Sequence, residues 1–146
     1  MFTETIAVLP ASDLARAKAF YADAFGFDPV EVRDGDLVYR PKPGIAFEVY
    51  QTPNAGTARN TQMCFTSDDL DGDMRRLRDR GVVFEDYDLP GLRTVDGVAD
   101  MDGERAAWFR DSEGNYICLG QPKVRSTGAG TGAGDDMSGV SSAFSD

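Results

Sequence analysis

One pattern of punctuation occurs twice in this chain, and it limits the folds available. Residues 4–10 (ETIAVLP) have the composition of a strand. Ser12 or Asp13 then offers a short side-chain oxygen to a free N–H of a helical first turn. Leu14, Ala17, Tyr21 and Ala24 with Phe25 fall on one face at helical spacing. Gly26 follows, where a left-handed residue closes a helix. In the second copy, 61–66 (TQMCFT) is the strand and Ser67 the N-cap candidate. Asp68 and Asp69 sit at the positive helix end, and Arg75, Arg76, Arg78 and Arg80 gather toward the negative end. Leu70, Met74 and Leu77 form the apolar stripe, Gly81 ends the helix, and Val82-Val83-Phe84 resumes extended chain.

Leu14 and Leu70 hold equivalent places 56 residues apart. A single strand–cap–helix–Gly–strand unit is common, but two in one register indicate duplicated architecture. Further strand signals follow each helix. In the first half they are 28–33, 36–40 and 45–51, separated by Asp34-Gly35 and Pro43-Gly44. In the second half they are 82–87, 94–101, 105–110 and 116–121, with turns at Asp102-Gly103 and 111–115 (DSEGN). An α+β domain over 1–124 is expected, in two modules of about 1–56 and 57–124. From 125 to 146 the chain is rich in Gly, Ser, Thr and Ala, too poor in large apolar groups to offset its ordering entropy, and a disordered tail is expected there.

With 146 residues and 41% hydrophobic composition, the chain can bury a core without staples. No apolar run approaches the roughly 20 residues that span a bilayer. The opening residues lack a basic region followed by an apolar core, so no signal peptide is expected. The two cysteines, Cys64 and Cys118, have no CxxC spacing, which favours reduced thiols in a cytoplasm over a disulfide framework. A net charge of −10 repels a phosphate backbone and disfavours nucleic acid as a partner. Most of the acidic residues are read as a solvated surface; attraction of a cationic ligand is the sharper alternative. The tail's GAGTGAG neither follows a strand nor opens a helix, so it is no nucleotide loop.

Three separated segments resemble one family. LPASDLARAKAFYADAFGF is similar to the opening strand and helix of the vicinal-oxygen-chelate superfamily, which includes glyoxalase I, extradiol dioxygenases and bleomycin-binding proteins. MCFTSDDLDGDMRRLRDRGV resembles the start of its second module, and AWFRDSEGNYICLGQ its closing hairpin, with Ser112 where a proline is typical. The resemblance covers about residues 4–122. It implies two βαβββ modules whose curved mixed sheets surround a cavity, and pairing within a chain or between two chains, with a homodimer expected. Metal-dependent members place four ligands in that cavity. Carried over by motif, those positions are Ile6, Glu48, Gln62 and Cys118. Ile6 has no donor, Gln62 offers a neutral amide, Cys118 is soft, and one carboxylate holds a divalent ion weakly. The chain also has no histidine. The expectation is therefore no metal and no cofactor.

Strand alternation proposes the lining of the cavity. Tyr50 accompanies Glu48, Cys64 accompanies Gln62, and Tyr116 accompanies Cys118. Trp108, the single tryptophan, is either a stacking wall or ordinary core. Glu48 lies among apolar residues in IAFEVYQT, where burial raises a carboxyl pKa and suits it to act as a base or an anionic anchor. The thiols read as small hydrophobes, since no histidine is available to activate them. The leading expectation is a small-molecule binding protein that sequesters a drug or metabolite. The alternatives are a metal-independent isomerase or lyase with Glu48 as base, a metal-dependent lyase or dioxygenase with an atypical ligand set, and a non-catalytic subunit.

Overall fold

The computed structural model describes residues 1–123, so the tail expected over 125–146 lies outside the described residues. The first module contains β1 (Ala7–Ala11), α1 (Leu14–Phe25), β2 (Glu31–Arg33), β3 (Asp36–Tyr39) and β4 (Phe47–Gln51). The second contains β5 (Thr61–Thr66), α2 (Leu70–Asp79), a short hairpin of β6 (Asp88–Leu89) and β7 (Leu92–Arg93), then β8 (Val98–Met101), β9 (Glu104–Arg110) and β10 (Tyr116–Gln121). The sheets have the same order, β1-β4-β3-β2 and β5-β10-β9-β8. In each, the first strand runs parallel to the last and the remaining pairs are antiparallel. This is the two-fold α+β architecture expected from the repeated punctuation.

The helices begin at the two equivalent leucines. Asp13 caps α1 by accepting the Arg16 N–H at 3.0 Å, and Gly26 closes it at φ 70°. For α2 the cap is Asp69, which accepts from Gly72 N, rather than Ser67. Ser67 is two residues too early: its Oγ takes the Asp69 N–H and donates to Asp73. The expected strand over 82–87 is reduced to a bridge between Phe84 and Phe109. The edge of β9 is already occupied along 104–107 by β8, so the segment meets only its last residues, through this bridge and the Glu85 N–H donated to Trp108 O at 2.7 Å. The expected strand over 94–101 starts late because Asp96 and Gly97 turn left-handed, at φ 52° and 82°.

Both modules share one core, and α1 is its centre. Tyr21 packs on Tyr39 and Phe47 of the first sheet, at 5.7 and 5.6 Å between ring centroids. From the same helix, Phe20 and Phe25 reach Phe109 of the second sheet, and Phe25 also reaches Phe65. Leu70, Met74 and Leu77 of α2 complete the layer. Each sheet therefore turns one face toward the helices and the other away from them.

A buried polar cluster locks the modules together. Glu113, in the β9–β10 turn, is 6% exposed. It accepts the N–H groups of Ser12 and Asp13 at 3.0 and 2.9 Å, and Arg16 Nε and Nη2 at 2.8 and 3.0 Å. The first turn of α1 has no acidic residue of its own, so the other module provides the negative charge that a helix N-terminus favours. Beside it, Tyr21 donates to Asp111 at 2.7 Å, and Asn115 Nδ2 donates to Pro10 O and Asp111.

Candidate functional site

The outward face of the first sheet carries Glu48 and Tyr50, as alternation requires once Phe47 and Val49 enter the core. Val8 is opposite Glu48 on β1, and Val38 opposite it on β3. Ile6 stands just before β1 and is half-buried. Asp36 shares this face. Glu48 hydrogen-bonds the Asp36 carboxyl, and this contact, followed by burial and the Asp36 charge, raises the Glu48 pKa; Arg33 opposes the rise. Among the described residues no N–H or O–H donor meets Asp36 Oδ1. The neighbouring carboxyl thus favours the protonated form of Glu48. Asp36 was not singled out from the sequence. Its signal is an acidic residue opening the apolar strand DLVY, but its position beside Glu48 depends on strand register.

The outward face of the second sheet carries Cys64, Tyr116, Cys118 and Trp108. The β5–β10 ladder is irregular between Tyr116 and Ile117: Thr61 faces Tyr116 and Met63 faces Ile117, so Gln62 is skipped. The Gln62 amide is turned to the strand ends, accepting from Tyr116 N and donating to Asn115 Oδ1, both at 3.1 Å. The same irregularity brings Cys118 directly opposite Cys64. Cys118 is buried and Cys64 exposed. A hydrogen bond from Cys118 lowers the Cys64 pKa against the effect of burial, while the same contact and burial push Cys118 up.

Trp108 is fully buried. Tyr87 meets it edge-on at 5.9 Å, Leu92 packs in the same cluster, and Trp108 Nε1 donates to Thr61 Oγ1 at 3.2 Å. The segment around the β6–β7 hairpin therefore covers this part of the sheet. That cover was not legible in the sequence, because two-residue strands leave no periodic signal.

The candidate residues thus fall into two groups. Glu48, Tyr50 and Asp36 lie on one sheet; Gln62, Cys64, Trp108, Tyr116 and Cys118 lie on the other. Because α1 stands between the sheets, these outward faces diverge within one chain. Two grooves elsewhere, of about 330 and 450 Å³, run along α2; Arg76 and Arg80 line the first, and Arg75, Arg78 and Arg105 the second.

Two modules of the same strand order, packed through their helices, define the class of fold. The chain belongs to the Glyoxalase/Bleomycin resistance protein/Dioxygenase superfamily, whose model matches residues 5–119. Among solved structures it is similar to TnmS3, an antibiotic binding protein from Streptomyces sp. CB03234, with 28% identity and a TM-score of 0.64 over 84% of this chain and 99% of that one. A glyoxalase/bleomycin resistance protein from the same Streptomyces strain is 30% identical, with a TM-score of 0.60 over 78% and 96% of the respective chains. A bleomycin-binding protein complexed with bleomycin shares the fold at 21% identity, with a TM-score of 0.64 over 84% and 100%. No curated protein matches the chain. No helix among the described residues is long and apolar enough to cross a membrane.

Proposed function

We propose that this protein binds and sequesters a small organic molecule without a metal. The observation that carries the reading is the donor set at the four family ligand positions. Ile6 offers nothing, and the Gln62 amide is committed to Tyr116 and Asn115. Cys118 is a buried thiol held protonated, which leaves Glu48 as the one carboxylate among the four positions. Among the described residues no three His, Cys, Asp or Glu side chains converge. This set does not fit a hard divalent ion. The antibiotic-binding and bleomycin-binding neighbours support a ligand-binding role, and the net charge of −10 favours a cationic ligand. The Glu48–Asp36 pair anchors such a cation, with Tyr50 beside it. A homodimer completes the cavity by placing the Glu48 face of one copy against the Cys118 face of the other. The exposed Val8 and Tyr50 on that face support the assembly.

Thermal shift against bleomycin and cationic aromatic compounds tests this reading. A rise in Tm that survives a chelator, and falls with Glu48→Gln, is expected. The substitution should weaken binding about tenfold, or about 1.4 kcal/mol. A Tm rise that requires added divalent ion would overturn metal independence.

The raised Glu48 pKa favours a second reading, a metal-independent isomerase or lyase in which Glu48 takes a substrate proton. Under that reading Glu48→Gln abolishes turnover while binding persists; loss of binding in proportion to activity rejects it.

A further inference from the structure

The chain's two cysteines lie side by side on the outward face of the second sheet. Cys64 and Cys118 are direct partners in the parallel β5–β10 ladder. Neighbouring strands run about 4.8 Å apart, inside the Cα separation of about 4.4–6.8 Å that a disulfide spans. As direct ladder partners, the two side chains leave the same face of the sheet. This juxtaposition depends on the skipped Gln62, since an unbroken register from Thr61–Tyr116 would set Cys118 against Met63.

We propose that Cys64 and Cys118 form an oxidation site at which a hydroperoxide closes an intramolecular disulfide. The two thiols are unequal in the way this chemistry requires. Cys64 is exposed and meets the oxidant, while Cys118 is buried beside it. The Cys118 thiol and the Gly120 backbone both favour the Cys64 thiolate, so Cys64 is the attacking sulfur and Cys118 the resolving one. The Cys64 sulfur attacks one peroxide oxygen, the O–O bond breaks, and the departing hydroxide takes a proton to become water. Cys64 is then a sulfenic acid. Cys118 attacks that sulfur and the S–S bond forms. The S–O bond breaks, and a second water leaves with the Cys118 proton. The two thiols are oxidised by two electrons in total, and hydrogen peroxide is reduced to two waters.

The site lies on the face that the ligand-binding proposal turns to the cavity, so it is tested on the full chain without ligand, where its outcome does not depend on ligand binding. Folded protein is treated with stoichiometric hydrogen peroxide, then examined by intact mass and maleimide labelling. Since Cys64 and Cys118 are the only cysteines, the thiol count is complete. The expected product is two hydrogens lighter, has lost both reactive thiols together, and regains them with dithiothreitol. The Cys118→Ser variant should stop one oxygen heavier, at a Cys64 sulfenic acid that dimedone traps. The Cys64→Ser variant should leave Cys118 unoxidised under the same exposure. Wild-type protein that keeps one thiol, accumulates a dimedone adduct, or cross-links between chains on a non-reducing gel would overturn the proposal.

Discussion

The carboxylate of Glu113 is taken out of water yet held charged. Burial raises its pKa, but donation from Arg16, Asp13 N–H and Ser112 outweighs that and brings it down to about 2. The ordinary value is 4.5, so the unfolded chain takes up its proton first as pH falls. The stability this group contributes, about 3 kcal/mol, is fully present above pH 4.5 and is lost as pH falls toward 2. Urea unfolding at a series of pH values should show that loss, and Glu113→Gln should flatten it while costing about 3 kcal/mol at neutral pH. The same reasoning with opposite sign applies to Glu48, whose carboxyl is held protonated to a higher pH by Asp36. Asp36→Asn should lower the Glu48 pKa, read as carboxyl carbon shifts in an NMR titration; an unchanged midpoint would remove Asp36 from the site.

The elements show why Trp108 reads two ways from its sequence. A tryptophan two residues before a hairpin turn faces outward by alternation, and it does face away from the helices. The segment around the β6–β7 hairpin then covers it through Tyr87 and Leu92. Its fluorescence should accordingly be blue-shifted and protected from acrylamide. Leu92→Ala should cost about 2–3 kcal/mol and increase quenching, because the variant opens a cavity against the indole. The loop joining the modules is equally constrained at Gly56, which has φ 79°; a Cβ there meets Glu113 O at 3.2 Å. Gly56→Ala should destabilise the protein by about 1–2 kcal/mol in thermal unfolding, from the left-handed backbone alone.

Taken together, the elements place two outward faces on opposite sides of one helical layer. Under the proposed function, a second copy completes the cavity, with the Glu48 face of one chain opposite the Cys118 face of the other. Sedimentation at micromolar concentration should give twice the mass of 15.8 kDa. Val8→Asp should give monomers, because this side chain beside Glu48 is already exposed in the single chain and carries no core of its own. A monomer in the unmodified protein would place the ligand on one face alone.

The two modules, the first helix start at Leu14, and the alternation that turns Glu48 outward were all legible in the sequence. They rest on local rules: spacing along a helix, alternation along a strand, and turn chemistry at Gly26 and Asp102-Gly103. Tertiary structure alone decided that Asp36 meets Glu48, that Gln62 is skipped so Cys118 faces Cys64, and that the segment around a hairpin covers Trp108. It also decided that α1 separates the two groups of candidate residues. Each of these depends on strand register or on packing between residues far apart in sequence. No local pattern encodes a register, because a shift of one residue leaves composition and periodicity unchanged while moving side chains to the other face.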